Sequence, residues 1–130
     1  MKKASIVLLV IFTFSCKGIP EPITYGDYFV TNNTMDHLII QAQETWTNNF
    51  VPLLNNKIDP GNKTHIYTFV EGSGGHVKPS NAFSGFSVYA NSVATENLIY
   101  TGVLNEDWIY EGISNEGHLI YNLTIEQLMK

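Results

Sequence analysis

Four histidines give this chain of 130 residues its first candidates for a metal site. They are His37, His65, His76 and His118. A zinc site takes three or four ligands, and two of them commonly lie close together in the sequence. The nearest pair here, His65 and His76, is eleven residues apart, so the spacing predicts neither a metal nor another cofactor. His37 and His118 would meet only if the strands that carry them paired.

A glycine-rich stretch, Gly72 to Asn81, is a second place where reactive side chains gather, because it contains Ser73, His76 and Lys78. It lacks the Gly-Lys-Ser/Thr ending of a phosphate-binding loop, and its serine stands outside the Gly-x-Ser-x-Gly pattern of a nucleophile elbow. We therefore expect an exposed loop between strands. Loops on a rigid scaffold often bind partners, so His76 and Lys78 are candidate contact residues.

Four acidic residues near the C-terminus surround two aromatic ones. The acids are Glu106, Asp107, Glu111 and Glu116, and the aromatic residues are Trp108 and Tyr110. Two carboxylates cleave a glycoside only when they lie about 5 to 9.5 Å apart and burial raises the pKa of one of them. Carboxylates in turns are usually solvated, so we expect no enzyme activity. Trp108 and Tyr110 join the candidate contact surface for a sugar or a basic protein, although tryptophan is more often a core residue in a small sandwich.

The elements that must position these residues follow a short leader. Two lysines precede an apolar run, Ala4 to Phe14, which is typical of a signal peptide. The run is about half as long as the roughly 20 residues of a membrane-spanning helix. Cys16 follows it, at a position that resembles the cleavage and acylation site of bacterial lipoproteins. We predict a signal peptide over residues 1–15, a palmitate-type anchor on Cys16 with a tether over residues 16–24, and one domain over residues 25–130.

The alternative for Cys16 is a free thiol left behind by an ordinary signal peptide, which is an awkward feature in an oxidising compartment. Acylation of Cys16 removes this difficulty, and the acyl chains would then attach the protein to a membrane, which is its predicted partner. The location predicted is then the bacterial cell envelope, with the outer membrane favoured. Seven lysines and no arginine face twelve acidic residues. Because arginine is the side chain that most often reads guanine and clamps phosphate, no nucleic-acid partner is expected.

From residue 25 onward, short apolar blocks alternate with turn residues, and no window keeps the period of a helix. The predicted strands are residues 25–31, 37–43, 63–70, 84–90, 97–104, 107–113 and 118–125. Two of them, 63–70 and 97–104, are apolar on both faces, which predicts central strands or strands covered by a loop. The turn Asp59-Pro60-Gly61-Asn62 favours type II geometry. The fold predicted is all-β: a single immunoglobulin-like antiparallel β-sandwich of about seven strands, with a small barrel as the alternative.

One cysteine cannot form a disulfide within the chain, so the core must depend on aromatic residues. The expected core aromatic residues are Tyr28, Trp46, Tyr67, Phe86, Tyr100, Trp108 and Tyr121.

Several short strand and turn motifs follow one another along the chain. They are Asn33-Thr34, Leu38-Ile39-Ile40, Ile58-Asp59-Pro60-Gly61 leading to Ile66, Pro79-Ser80, Phe86-Ser87-Val88, Asp107-Trp108 and Tyr121 to Ile125. This order resembles small single-domain β-sandwich lipoproteins of Bacteroidetes-type bacteria, over residues 16–125. The resemblance implies the fold and the location and supplies no catalytic residues.

These observations predict a non-enzymatic binding or structural lipoprotein that presents its loops to an envelope protein or a glycan. The alternative is a tethered acidic inhibitor or immunity-type protein that captures a cationic hydrolase. Loss of the two leader lysines leaves five lysines against twelve carboxylates, which suits this second role.

Overall fold

The computed structural model describes residues 23–45, 49–71 and 77–127, which fold into two four-stranded β-sheets. Sheet A contains β1 (Thr24–Asn33), β4 (Lys63–Glu71), β7 (Trp108–Ile113) and β8 (Leu119–Glu126). Sheet B contains β2 (Leu38–Glu44), β3 (Lys57–Ile58), β5 (Phe83–Ala90) and β6 (Leu98–Thr101). One helical turn, α1 (Pro79–Ala82), precedes β5, and 3-10 turns at Thr95–Asn97 and Asn105–Asp107 precede β6 and β7. In this part of the chain, no helix is long and apolar enough to cross a membrane.

The alternation of apolar and polar residues explains why the two sheets pack together. On β1, Tyr28 and Val30 are buried in the core, while Asp27 and Phe29 belong to the outer face. Strands β2 and β5 alternate in the same way. Strand β8 adds Leu123 and Ile125 to the same hydrophobic cluster. The all-β sandwich predicted from the sequence is therefore confirmed.

The strand order is β4-β1-β8-β7 in sheet A and β3-β2-β5-β6 in sheet B. Neighbouring strands are antiparallel except β1 and β8, which run parallel. The described residues thus form eight strands, one more than the prediction, and one pair is not antiparallel. The sequence analysis missed β3 because two residues are too few to show alternation. It missed the parallel pair because β1 and β8 are the first and last strands, and no local pattern encodes their pairing.

The two strands that are apolar on both faces, β4 and β6, lie at sheet edges. Part of the edge of β4 is covered by residues 54 and 55, because the Leu54 N–H donates to the carbonyl oxygen of Ile66 at 2.8 Å and the Asn55 amide donates to that of His65 at 3.0 Å. This arrangement matches one of the two explanations offered above, a strand covered by a loop. For β6, the expectation of a central strand is wrong, and Leu98 is exposed there.

The described chain begins at one end of the sandwich, which we call the near end. Thr24 pairs with Glu71, and β8 begins beside Gly26, so the last residue of β4 and the turn before β8 share this end. The opposite end, the far end, is formed by the turns at residues 34–37, 59–62 and 91–97. Gly61 has a φ of +81°, the left-handed conformation that the predicted type II turn requires.

The core is built around four aromatic side chains, Tyr28, Phe83, Phe86 and Trp108. The ring centroids of Tyr28 and Phe86 lie 5.7 and 5.2 Å from that of Trp108. Both contacts are edge-to-face, which lets a positive ring edge meet a negative ring face. Three other aromatic residues expected in the core are partly buried against this cluster, namely Tyr67, Tyr100 and Tyr121. Trp46 lies outside the described residues.

The polar side chain of Asn32 is buried at the far end, and its amide is fully hydrogen-bonded. Its Nδ2 donates to the carbonyl oxygens of Asp36 at 2.8 Å and Ile58 at 3.0 Å. Its Oδ1 accepts from the Thr34 N–H at 2.9 Å and the Thr34 hydroxyl at 2.6 Å. Because Asn32 lies on β1 and Ile58 on β3, this amide links the two sheets and the turn after β1.

The substitution Asn32→Ala should lower the free energy of unfolding by about 2–3 kcal/mol, because it removes the side-chain partner of two carbonyl groups and one N–H. The matched control is Asn33→Ala, since Asn33 is the next residue and is exposed. We expect this control to change stability by less than about 0.5 kcal/mol. Urea unfolding measures both values, and equal stabilities for the two variants would contradict the role given to the Asn32 amide.

Candidate functional site

The outer face of sheet A brings together His65, Asp27 and His118, which we call the histidine cluster. The order β4-β1-β8 places His65 on β4 beside Asp27 on β1, with His118 just before β8. Nδ1 of His118 lies 3.0 Å from one carboxylate oxygen of Asp27, and Nε2 of His65 lies 3.5 Å from the other. Only 13% of the Asp27 side chain is exposed between them.

Neighbouring groups hold both imidazole rings in place. Tyr25 stacks on His118 with ring centroids 4.6 Å apart, and Phe29 stacks on His65 at 4.8 Å. The Thr68 hydroxyl donates to the central carboxylate at 2.7 Å and lies 3.0 Å from Nε2 of the nearer imidazole. Thr68 therefore belongs to the same hydrogen-bonded network as the two rings and the carboxylate.

The histidine cluster does not form a metal centre. Within residues 23–45, 49–71 and 77–127, no group of three or more His, Cys, Asp or Glu side chains is arranged to hold a metal ion. His37 and His118 do not meet, because β2 and β8 belong to opposite sheets. His37 instead lies at the far end, with its Nδ1 2.8 Å from a carboxylate oxygen of Asp59.

Trp108, a candidate contact residue, is a core side chain. Only 4% of its surface is exposed, and its ring lies against Tyr28, Phe83 and Phe86. Of the two placements given for Trp108, the core is therefore confirmed and the contact surface is wrong. The reason is register: Trp108 pairs with Leu123, which also faces the core. The indole Nε1 is buried without a hydrogen-bond partner among the described residues.

Tyr110, the second aromatic candidate, is accessible. It lies on β7, at the edge of sheet A, and 50% of its surface is exposed. Its ring packs on Tyr121 with centroids 5.5 Å apart, and the neighbouring Ile109 and Ile113 are also exposed. Tyr110 can therefore contact a partner along this edge.

The acidic residues near the C-terminus do not converge on one another. Glu111 pairs with Lys63 at 2.5 Å, and Asp107 accepts a hydrogen bond from the Tyr100 hydroxyl at 2.8 Å. A carboxylate oxygen of Glu116 lies 3.9 Å from Nε2 of His118. These carboxylates make separate contacts, so the acid and base pair of a glycosidase is not assembled from them.

Two predicted site residues, Cys16 and His76, lie outside the described residues. Lys78 is exposed, and it stands between two buried residues, Val77 and Pro79. The glycine-rich stretch was expected to be an exposed loop, but its described remainder contributes to the core and includes α1.

The near end is closed by a contact between this stretch and β1. The Tyr28 hydroxyl donates to the carbonyl oxygen of Val77. Gly26 permits the close approach, because a Cβ at that position would lie 3.0 Å from the Cβ of Val77. Lys78, which follows Val77, is therefore positioned at the near end.

The described residues also form concave surfaces, and the first of these is at the far end. This far-end pocket has a volume of about 510 Å³ and is lined by turn residues above a floor from β5 and β6. The polar lining residues are Asp36, Asn91, Glu96 and Asn97. Asn91 has a φ of +67°, and its side-chain amide donates to the Asp36 carboxylate at 3.2 Å. No lysine lines the pocket, so the two carboxylates give it a negative potential.

The second concave surface, the β2-edge groove, has a volume of about 370 Å³. It lies between residues 40–42 of β2 and the segment that covers the strand edge, residues 50–53 and Asn56. No charged side chain lines it. The two concave surfaces therefore differ in charge as well as in position.

Comparisons of the chain with protein-family models, curated proteins and solved structures found no match.

Sequence reasoning missed the histidine cluster and both concave surfaces. Asp27, His65 and His118 are far apart along the chain, and no local motif connects them. Alternation identifies Asp27 as an outward residue of β1, but only the order β4-β1-β8 brings the three together. The one signal in the sequence for this cluster is that polar residues stand at outward positions on different predicted strands.

Burial raises the pKa of four tyrosines in the described chain. Desolvation is the largest cause for Tyr28, Tyr67, Tyr100 and Tyr121. For Tyr100, the hydrogen bond to Asp107 raises the pKa further, since it favours the neutral phenol. The folded protein therefore holds these protons more tightly than the unfolded chain does.

This difference predicts that stability falls in alkali. The contribution of the four tyrosines is fully present below about pH 10, the ordinary tyrosine pKa, and is lost as the pH rises toward the higher folded-state values. Urea unfolding between about pH 8 and 11.5 should show the decline, and tyrosinate absorbance should rise together with unfolding. Ionisation of all seven tyrosines near pH 10 in a protein that remains folded would contradict the prediction.

Proposed function

We propose that this protein is an exported lipoprotein of a bacterial cell envelope, located at the outer membrane, that binds a protein or glycan partner without catalysing a reaction. The apolar leader followed by Cys16 supports export and acylation. Acyl chains on Cys16 would hold the sandwich at a bilayer, since each buried methylene contributes about 0.8 kcal/mol.

The observation that carries this proposal is that the chain enters the sandwich at the near end, while the far-end pocket lies at the opposite end. Seven residues lead from Cys16 to Ile23, and such a length spans at most about 25 Å. With Cys16 anchored, the near end and Lys78 face the bilayer. The far-end pocket then faces away from the membrane, where a partner in the envelope can reach it.

The sandwich is also proposed to be immunoglobulin-like at the level of architecture. Two facing sheets with loops at both ends are common to that group, whose members do not all share one topology. The strand order here is its own, because β1 and β2 lie in opposite sheets. The first two strands of an immunoglobulin domain share a sheet.

A binding role is favoured over catalysis by the way the polar side chains are used. The histidine cluster is hydrogen-bonded within itself on an outer face and lines neither the far-end pocket nor the β2-edge groove. The far-end pocket presents carboxylates and amides, which suit recognition, and its lining includes no histidine, lysine or hydroxyl side chain.

The substitution Cys16→Ala should move the protein from the detergent phase to the aqueous phase in a detergent partition experiment, or leave it as unprocessed precursor, because acylation requires the thiol. Radiolabelled palmitate should be incorporated into the parent protein and absent from the variant. The control is Lys17→Ala, which keeps the thiol and should partition as the parent does. A cleaved Cys16→Ala protein that stays in the detergent phase would refute lipid anchoring.

A second candidate function, capture of a cationic hydrolase by a tethered acidic inhibitor, is favoured by the charge of the described residues. They contain eleven carboxylates and three lysines, and one of these lysines, Lys63, is paired with Glu111. The far-end pocket adds Asp36 and Glu96 at the end that faces away from the proposed anchor. A long-range negative field speeds association with a basic partner.

For this second function, the association rate constant with a cationic lysozyme should fall about tenfold or more when NaCl is raised from about 0.05 to 0.5 M, because salt screens the steering field. The variant Glu96→Gln should slow association roughly twofold at low salt. The control Glu106→Gln removes an exposed acid outside the pocket and should have a smaller effect. Stopped-flow measurements decide the matter, and a rate independent of salt would exclude steered capture.

A further inference from the structure

The β2-edge groove arises from the path of residues 49–56. This segment is attached to the edge of β2 at three points, where Glu44 N–H donates to Asn49 O at 3.0 Å, Val51 N–H to Ala42 O at 2.8 Å and Ile40 N–H to Asn56 O at 2.8 Å. Between the last two attachments the segment bends toward sheet A, and the Leu54 N–H bonds to Ile66 of β4. The space left beside β2 is the groove.

The groove offers amide groups and an aromatic ring. Gln41 and Asn56 each contribute a side-chain amide, and neither amide makes a hydrogen bond to another described residue. Phe50 stands at the rim with 68% of its surface exposed. The remaining wall is apolar and is formed by Val51, Pro52 and Leu53. A ligand that enters would therefore meet unpaired amides on one side and an apolar surface on the other.

The neutral character of the groove continues onto the outer face of sheet B. Gln41 pairs in register with Ser87, which pairs with Thr101 on β6. Beside this row, Gln43 lies over Gly85, where a Cβ would be only 2.6 Å from the Gln43 Oε1. This row is uncharged across three strands, although the described residues contain eleven carboxylates. The nearest charge on the same face is the exposed Lys57, which pairs with Ile39 two residues before Gln41.

We propose that the β2-edge groove binds one ring of a neutral glycan. This inference deepens the proposed function, on which it rests, by assigning the partner to the glycans. An amide donates and accepts hydrogen bonds at once, so Gln41 and Asn56 match neighbouring sugar hydroxyls. The C–H face of a sugar ring packs on Phe50, whose ring face carries negative partial charge. An ionic ligand would find no charged partner among the residues that line the groove.

The size of the groove agrees with this assignment. Its volume of about 370 Å³ is near the lower end of the roughly 300–1,000 Å³ found for small-molecule sites. A single sugar unit can therefore enter the groove, while neighbouring units extend over the polar row of Gln41, Ser87 and Thr101 on sheet B.

The test uses the full chain purified in detergent and immobilised neutral tetrasaccharides of glucose, mannose and N-acetylglucosamine, with a uronic-acid tetrasaccharide as the charged comparison. We expect binding to at least one neutral glycan, with an affinity that changes less than about twofold between 0.05 and 0.5 M NaCl. Phe50→Ala and Gln41→Ala should each weaken binding about tenfold. The control is Met35→Ala, because Met35 is 87% exposed at the far end, and it should bind as the parent does.

Thermal unfolding curves that match the parent will show that the Phe50 and Gln41 variants are folded, as the exposure of Phe50 predicts. The proposal is overturned if no neutral glycan binds, if only the uronic-acid glycan binds, or if both groove variants keep the parent affinity. A peptide bound in the groove would equally overturn it. Failure of the lipid anchor would appear only in the partition of Cys16→Ala, so the two failures are distinguishable.

Discussion

The buried amide of Asn32 is the interaction on which the geometry of the far end depends. A strand position that faces the core ordinarily takes an apolar residue. A side-chain amide is stable there only when its oxygen and its nitrogen are both hydrogen-bonded. The bonds of Asn32 to Thr34 and to the Asp36 carbonyl shape the turn before β2. The Asp36 carboxylate then receives the Asn91 amide. The far-end pocket is thus built on a polar group inside the core.

A second constraint is the segment of residues 49–56, which connects the edge of β2 in sheet B with the edge of β4 in sheet A. Residues 49–56 bond to the edge of β2 and then to β4, so one segment covers two strand edges. Covering edges protects a sheet from pairing with other chains. Here the cover is incomplete, and the gap is the β2-edge groove. Protection of the fold and formation of a binding surface therefore have the same structural origin.

The sequence predicted the positions of the strands, but it did not show which distant side chains meet. The block at residues 118–125 became β8, and the block at 84–90 became β5, each displaced by one residue at most. These predictions rest on alternation, which depends only on neighbours along one strand. Trp108 was named both as a core residue and as a contact residue, because the pattern of one strand does not determine which of its faces is covered. Its burial follows from pairing with β8.

Short-range order was therefore sufficient for the approximate positions of seven strands, the turn at Gly61 and the absence of an internal disulfide, because these depend on adjacent residues or on composition alone. Assembly of the sheets set everything that requires distant residues to meet. In the assembled sheet, β1 is the neighbour of β8, Asp27 lies between two histidines and β4 is an edge strand. The physical reason is that hydrogen bonding between strands is available to any pair of edges, and the choice among them depends on how all the apolar faces pack together.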